Sequence, residues 1–357
     1  MDPLQNSSWR LCVAPMIDVT DRHCRYFHRL LAPRARLYTE MITTGALLHG
    51  DVARHLDFAA AEHPVALQLG GSEPQALARS ARLGADWGYD EINLNCGCPS
   101  ERVQKGAFGA CLMAEPRLVA DCVRAMQDAV SVPVTVKHRL GLDYDESYGF
   151  VRDFVGTLYD TGCRVFIAHA RNAVLKGLSP KDNREKPPLR YAEVLRLKQD
   201  FPDAVIVLNG GLSEVDACVE WMQRLDGIML GRAAWHHPDI LAELDQRLDG
   251  LDAAPAASHG VSAYAARTAV SPAGTTAGTA QPPVPLDAEQ ILERLLVYVA
   301  EQHAQGVPLH ILVRGLLGWH TGRPGARQWR RLLSDPKALK AEGPALLRRA
   351  WQTLMAA

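Results

Sequence analysis

Short apolar runs recur along the first two thirds of the chain, and segments with helical periodicity separate them. Eight such runs are visible, at residues 11–15, 37–38, 65–69, 92–94, 132–137, 165–169, 205–208 and 227–230. Apolar strands that alternate with helical patterns are typical of repeated β-α units. Eight such units within about 250 residues predict a (β/α)8 barrel, the TIM-barrel fold.

Three helix starts can be read from capping patterns. Residues 72–75 combine a serine, a proline and a glutamine at the spacing of a capping box, and residues 213–216 show a similar start. Residues 287–290 form the third, ahead of a helical pattern that continues to the C-terminus. The last part of the chain is therefore predicted to be a small all-helical domain.

The composition changes between residues 252 and 285, where alanine, threonine, glycine, proline and serine dominate without a helical or strand period. Such a segment buries too little apolar surface to fold and is typical of flexible sequence. We therefore predict three parts: a barrel domain at residues 1–248, a flexible linker or insertion at 249–285, and a helical domain at 286–357.

Composition and charge narrow the class of protein. The 357 residues are 47% hydrophobic and carry a net charge of -1, so the molecule as a whole is not a basic nucleic-acid binder. Residues 314–349, however, contain nine Lys/Arg and two Asp/Glu, a local excess of +7. This excess favours a nucleic-acid contact, although many charge runs are simply solvated helix faces.

The sequence shows no sign of export or membrane insertion. No apolar run approaches the roughly 20 residues that cross a bilayer, and the N-terminal residues carry no cleavage signature. Eight cysteines are scattered without a C-x-x-C pair, so neither a zinc site nor a redox dithiol is indicated. We expect a cytoplasmic, monomeric protein with reduced thiols, no metal and no membrane contact.

Polar side chains lie at the ends of six predicted strands. Barrel enzymes build their active sites at the C-terminal strand ends, so a cluster at these positions predicts an active site. A single polar residue at a strand end is usually the start of a solvated loop, and none of the six would carry the inference alone. They are Gln68, Asn95, Lys137, His169, Asn209 and Arg232.

Glycine-containing turns follow the last two strands. Asn209 is followed by Gly210 and Gly211, and Gly231 precedes Arg232. In barrels the loops after strands seven and eight often bind phosphate through backbone N–H groups, a helix N-terminus and arginine. Simple turn glycines are the alternative. The chain has no G-x-G-x-x-G or G-x-x-x-x-G-K-S/T motif, which argues against a Rossmann fold or a P-loop.

The segment INLNCGCPSERVQKGAFGACLM, residues 92–113, carries two neighbouring cysteines. Strand alternation places Cys96 on the apolar side, where packing is the favoured role. Cys98 lies between a glycine and a proline in the following loop, where packing offers no reason for a thiol. The sequence therefore favours a functional role for Cys98.

The NCGCPS and GAFGA motifs of this segment resemble the active-site segment of the tRNA-dihydrouridine synthases. Further motifs resemble the A subfamily of bacteria: APMIDVTDRHCRYF, LYTEMITTGA, ALQLGGSEP, HARNAVLKGLSPKDNREKPPL and RPGARQWRR, in this order. The resemblance implies an FMN-dependent oxidoreductase of the TIM-barrel fold that uses NADPH or NADH. Its reaction would reduce the uracil C5–C6 double bond in the D-loop of tRNA, at position 20 or its neighbour.

Residue roles follow from the same resemblance. Cys98 would donate a proton to the uracil while flavin N5 donates the hydride; a thiol with a pKa of roughly 8.5 is mostly protonated at neutral pH. Asn95 would contact the target uridine. The tRNA contacts would come from Lys181, Arg184, Arg327 and Arg330. The FMN contacts would come from Pro15, Met16, Ile17, Gln68, Lys137, His169, Asn209, Gly210, Gly211, Gly231 and Arg232.

Two alternatives remain open. An FMN barrel that acts on a free pyrimidine would share the flavin chemistry but would have no use for a basic helical tail. A tRNA-binding protein that has lost catalysis would be expected to lack Cys98 or the phosphate-binding turns, and both are present. The linker at residues 249–285 is the one long segment that we do not associate with the family.

Overall fold

The computed structural model describes residues 6–252 and 286–357. Eight strands form its centre: β1 (Leu11–Val13), β2 (Arg36–Thr43), β3 (Val65–Gly70), β4 (Glu91–Cys96), β5 (Val134–Arg139), β6 (Val165–His169), β7 (Val205–Asn209) and β8 (Gly227–Leu230). All neighbouring pairs are parallel, and the strands close into a barrel in chain order, with β8 beside β1. The predicted (β/α)8 barrel is confirmed.

Helices alternate with these strands around the barrel. They are α1 (Arg22–Leu31), α2 (Thr44–His49), α3 (Val52–Leu56), α4 (Pro74–Trp87), α5 (Glu101–Lys105), α6 (Pro116–Ala129), α7 (Tyr148–Asp160), α8 (Tyr191–Asp200), α9 (Val215–Arg224), α10 (Arg232–His236) and α11 (Asp239–Asp252). A C-terminal group follows: α12 (Ala288–Ala304), α13 (Leu309–Val313), α14 (Ala326–Leu333), α15 (Pro336–Glu342) and α16 (Ala345–Met355). The predicted helical C-terminal part is thus confirmed.

The helix starts agree only partly with the capping patterns. Pro74 occupies the first position of α4, which makes the preceding Glu73, rather than Ser72, the N-cap; its carboxylate accepts two backbone N–H groups of the first turn. The N-cap of α9 is Glu214, which makes no side-chain capping bond. Asp287 does form the predicted capping box at the start of α12.

Strand β4 is longer than the sequence indicates, and its alternation divides the barrel wall into two faces. It continues to Cys96, so Asn95 lies in the strand and not in the following loop. The outward residues of β4, including Cys96, pack under the helices, as predicted for this thiol. Inward residues of β1, β2 and β6–β8, together with Ala66 of β3, form a small apolar core inside the barrel. Further inward side chains of β3–β5 are polar: Gln68, Glu91, Asn93, Asn95, Thr135 and Lys137.

The C-terminal helices pack against α1. Tyr298 of α12 stacks on Tyr26 with ring centroids 3.8 Å apart, and its hydroxyl oxygen lies 2.8 Å from His23 Nδ1. Arg314 pairs with Asp21, the N-cap of α1, at 2.6 Å. Because Asp21 follows the C-terminal end of β1, these contacts hold the helical region beside the barrel mouth, the rim formed by the C-terminal strand ends.

The predicted linker at 249–285 begins inside a helix, since α11 continues to Asp252. The rest of that prediction falls on residues 253–285, which lie outside the described residues. Within the described ranges, no helix is long and apolar enough to cross a membrane. All eight cysteines are free thiols.

Candidate active site

The structure brings several predicted strand-end residues together at the barrel mouth. Asn95 Nδ2 donates to Gln68 Oε1 over 2.8 Å, and Lys137 Nζ donates to Asn209 Oδ1 over 2.9 Å. Asn209 Nδ2 in turn donates to the carbonyl oxygen of Met229 over 2.8 Å. The β4–β5 register places Asn95 beside Lys137, so side chains from β3, β4, β5 and β7 form one polar cluster, which the sequence predicted from their shared position at strand ends.

Basic side chains lie close together in this cluster. The barrel wall shields Lys137 from water, and this desolvation, together with the guanidinium of Arg139, lowers the pKa of Lys137 to about 7. Burial, followed by the charges of Arg139 and Lys137, likewise holds the pKa of His169 well below its usual value. A nearby anion would stabilise the protonated form of both groups. The mouth is thus electrostatically suited to an anionic ligand.

The loop that carries Cys98 is fixed while its thiol remains partly accessible. The backbone N–H groups of Cys98 and Gly97 donate to Asn95 Oδ1 over 3.0 and 3.1 Å. The carbonyl oxygen of Cys98 accepts from Ala110 N over 2.9 Å. Gly109, at φ +78°, passes so close that a β-carbon there would lie 2.6 Å from this carbonyl oxygen. The GAFGA motif therefore serves partly to pack its backbone against the Cys98 loop.

Asn95 has a supporting role that the sequence did not indicate. Asn95 is only 8% exposed, and its side-chain oxygen accepts hydrogen bonds from both loop N–H groups. Asn95 therefore positions the Cys98 loop. A primary amide has two N–H donors, and the bond to Gln68 uses one of them. The contact between Asn95 and the target uridine stays a prediction, for which the second donor is the suitable group.

Arg139 is a residue of the site that sequence reasoning missed. Its Nε donates to the carbonyl oxygen of Gly97 over 3.1 Å, and one terminal nitrogen donates to the carbonyl oxygens of Asn172 and Asn183 over 3.0 and 2.9 Å. Burial lowers its pKa to about 9. Arg139 therefore joins the Cys98 loop to the loop after β6. The sequence did offer a signal for Arg139: it lies two residues after Lys137 on the same strand, and such residues share one face of the sheet.

The glycines after β7 are required by close packing. Gly210 has φ +106°, and a β-carbon there would lie 2.5 Å from His169 Cδ2. Gly211 has φ +72° and would place a β-carbon 2.8 Å from the hydroxyl oxygen of Tyr191. At Gly231 a β-carbon would lie 3.8 Å from its nearest neighbours, an ordinary van der Waals contact, so packing does not require a glycine there. The phosphate-binding role of these turns stays a prediction.

Arg232 and Arg184 lie together at the rim. Arg232 donates to Glu185 Oε1 over 2.5 Å and to the carbonyl oxygen of Arg184 over 3.3 Å. Partial burial and the positive charge of Arg232 lower the pKa of Arg184. Both arginines are exposed, as is Lys181 in the same loop. An anion that approaches this rim would compete with Glu185 for Arg232.

The end of β1 contributes apolar surface to the mouth. Pro15 and Met16 begin a turn in which the Met16 N–H donates to Thr20 Oγ1 over 3.0 Å. Ile17, which follows, is 55% exposed. An exposed isoleucine at the rim offers a contact surface for a flat aromatic ring. The assignment of these three residues to FMN remains a prediction.

A cleft lies between the barrel rim and the C-terminal helices. Its volume is about 450 Å³, and it is lined by Trp235, His236, His237, Arg314, Leu317, Gly318, Thr321 and Arg330. Arg327 and Arg330 lie on α14 and are exposed. Neither has a carboxylate within ion-pair distance in the part of the chain that the structure describes.

Ion pairs neutralise part of the basic C-terminal segment. Four of its nine cations have acidic partners: Arg314 pairs with Asp21, Arg323 with Asp239, Arg348 with Glu293 and Arg349 with Glu342. The other five cations of this segment lie on α14 and α15, and Arg330 of α14 lines the cleft. That location favours the interpretation that the basic segment binds a polyanion at the mouth over the alternative that it is only a solvated helix face.

The fold and the site define a (β/α)8-barrel protein with clustered basic side chains at its mouth and a partly accessible thiol beside them. Comparison with known sequences identifies its family. Residues 12–355 match the family model described as "Dihydrouridine synthase (Dus)". The chain belongs to the dihydrouridine synthase family.

Several relatives resemble the chain over almost its whole length. The tRNA-dihydrouridine(20/20a) synthase of Pseudomonas syringae pv. tomato is 52% identical over 340 residues, which cover 95% of this chain and 92% of that protein. The protein of the same name from Pseudomonas putida is 50% identical over 347 residues, covering 97% and 94%. That of Synechocystis is 48% identical over 342 residues, covering 96% and 93%.

Proposed function

We propose that the protein is a tRNA-dihydrouridine synthase that reduces the uracil C5–C6 double bond at positions 20 and 20a of tRNA, the positions that name its relatives. Membership of the dihydrouridine synthase family makes it an oxidoreductase acting on uridine. The observation that carries the proposal is the partly accessible Cys98 thiol on a loop tied to Asn95 and Arg139 at a cationic barrel mouth.

The cofactor that we assign to the mouth is FMN. Lys137 offers a cation that an anionic ring edge would stabilise, and Gln68 offers an amide donor beside it. The turn at Gly210 and Gly211, with Arg232 on the rim, offers backbone and guanidinium donors for a phosphate. When bound, a reduced flavin supplies the hydride for uracil C6, with NADPH or NADH as the source of electrons.

The protein's own residues then complete the reduction. The Cys98 thiol donates its proton to uracil C5, while the hydrogen bonds from its loop to Asn95 hold it in place. Asn95 has an N–H donor available for the uracil, and the buried cluster beneath it excludes water. Because the reacting base must enter the barrel mouth, the uridine has to be flipped out of the tRNA fold.

The tRNA body would contact the rim and the helical region. Lys181 and Arg184 lie on the loop after β6, and Arg327 and Arg330 lie on one face of α14. We assign these four residues to phosphate contacts. The domain division into a barrel at 1–248 and a helical tRNA-binding part at 286–357 belongs to the same proposal, with the two parts packed together through α1 and α12.

An absorption experiment tests cofactor, reductant and substrate together. The purified protein is expected to show a flavin spectrum that bleaches with NADPH and recovers, under anaerobic conditions, only when unmodified tRNA is added. A colourless protein that FMN cannot reconstitute would overturn the flavin assignment. Recovery with free uridine at a rate comparable to tRNA would favour instead a barrel enzyme for free pyrimidines.

FMN affinity is expected to weaken as the pH rises above about 7. In the protein without FMN, Lys137 loses its proton near pH 7, so binding of an anionic ligand above that pH must take up a proton. The dissociation constant should increase by up to about tenfold per pH unit between roughly pH 7 and 9. Fluorescence quenching of FMN measures it.

The matched control is Lys137→Met, which keeps most of the side-chain stem without a titrating group. Its FMN affinity should be weaker at pH 7 and nearly independent of pH above that value. An equal pH dependence in the variant and the parent protein would assign the effect to another group and remove Lys137 from the proposed FMN contacts.

A further inference from the structure

A continuous line of buried hydrogen bonds runs through the barrel interior up to the Cys98 loop. Thr135 Oγ1 donates to Glu91 Oε1 over 2.5 Å, and Asn93 Nδ2 donates to Thr135 Oγ1 over 2.7 Å. Gln68 Nε2 donates to Asn93 Oδ1 over 2.7 Å, and Asn95 Nδ2 donates to Gln68 Oε1 over 2.8 Å. We call these five side chains the interior network.

The chemistry of its two ends fixes the direction of every bond in the network. At the lower end, Glu91 lies 3.2 Å from the Arg36 guanidinium and accepts from Trp9 Nε1 and the Tyr38 hydroxyl, both over 2.8 Å. A carboxylate only accepts, so the Thr135 hydroxyl must donate to it. At the upper end, the backbone N–H groups of the Cys98 loop only donate, so an oxygen of Asn95 must face them.

Between these ends each primary amide has one possible orientation. Because the Thr135 hydrogen is used on Glu91, its oxygen accepts from Asn93, and the oxygen of Asn93 must then face Gln68. The nitrogen of Gln68 therefore faces Asn93, and the nitrogen of Asn95 faces the oxygen of Gln68. Any single reversal would place two donors or two acceptors against each other in a buried site and leave both groups unpaired, which is unfavourable.

The network thereby determines which hydrogen-bond donors the barrel mouth offers to a bound group. Gln68 and Asn95 each use one amide hydrogen within it, which leaves one donor on each nitrogen for a bound group. Glu91, Asn93 and Thr135 are fully buried, at 0% exposure, and lie below the mouth. We propose that these three are positioning residues, which fix the amide orientations of Gln68 and Asn95 and so hold the Cys98 loop. This inference rests on the proposed function for its effect on catalysis.

The test compares variants at Thr135. Thr135→Val keeps the shape but removes the hydroxyl, so Asn93 loses its acceptor and Glu91 one donor. Amide hydrogen exchange at Gly97 and Cys98, measured on the full chain with FMN but without tRNA, should become about tenfold faster. The kcat for tRNA should fall by about tenfold, with the KM for tRNA unchanged. Thr135→Ser, which restores the hydroxyl, should return both quantities to near the parent values.

Tyr38→Phe is the matched control. It removes the other hydroxyl donor from the same Glu91 oxygen but leaves the bonds from Thr135 to Asn95 in place. Its Tm should fall while exchange in the Cys98 loop stays at the parent rate. If Thr135→Val and Tyr38→Phe accelerate this exchange equally, or if Thr135→Val leaves it unchanged, the network merely stabilises the barrel and the proposal is wrong.

Asn93→Ser replaces Thr135→Val if the latter does not fold, because it breaks the same line of bonds one step higher. The same acceleration is expected. The proposed function and the role of the network can fail separately, because a parent protein that cannot reduce uridine in tRNA refutes only the proposed function. The exchange comparison needs no tRNA and still decides whether the network orders the loop.

Discussion

Replacing Cys98 by alanine is expected to slow uridine reduction in tRNA by about 10²–10⁴-fold, the range associated with a positioned acid. The loop should keep its conformation, because Cys98 bonds to the Asn95 side chain and to Ala110 through its own backbone atoms. Binding of FMN and tRNA should therefore be close to that of the parent protein. The measurement is anaerobic single-turnover oxidation of the reduced flavin by unmodified tRNA, which separates the chemical step from binding.

Two other thiols provide matched controls. Cys111 is the other partly accessible cysteine, and its Sγ lies 3.1 Å from the carbonyl oxygen of Phe108. Cys96 lies outward on β4, and burial raises its pKa well above the usual value, which suits a packing residue. Cys111→Ala and Cys96→Ala should both retain most of the single-turnover rate. A loss in either variant as large as in Cys98→Ala would contradict the assignment of the acid.

The sequence predicted the barrel well because strand and helix periodicity reflect burial directly. The runs at residues 165–169 and 227–230 match β6 and β8 to the residue. The ends of β4 and β5 were placed too early, because Asn95 and Arg139 are polar and look like loop residues. Inside a barrel, polar side chains can face one another across strands, so pairing continues where hydrophobicity has already ended.

The same feature explains which parts of the site were missed. Glu91, Asn93 and Asn95 alternate with apolar residues in EINLNC, a pattern that indicates a strand with one polar face. Of these three residues, the sequence predicted only Asn95 as part of the site, because it alone follows the end of the predicted strand. The polar face itself can be read from sequence. The direction of its hydrogen bonds cannot, because that depends on Thr135 of β5 and Gln68 of β3, which only the barrel register brings beside β4.

Replacing both Arg327 and Arg330 by alanine is expected to weaken tRNA binding by about tenfold or more at low salt. Each arginine that contacts a phosphate displaces about one counterion, so the slope of log K against log salt should become shallower by about 2. Flavin reduction by NADPH should not change, because both side chains are exposed on α14, away from the polar cluster of the mouth. Filter binding at several salt concentrations measures the slope.

Arg348 and Arg349 give a control with the same change in charge. Both lie on α16 of the same helical region, but they are paired with Glu293 and Glu342 at 2.9 and 2.6 Å. Their double replacement by alanine should leave the salt slope nearly unchanged, since paired arginines release few counterions on binding. If the two double variants lose affinity equally, the helical region attracts tRNA only through its net charge, and α14 has no specific contact. If flavin reduction also fails in the α14 variant, those arginines support the fold, and the phosphate contacts must be sought elsewhere on the rim.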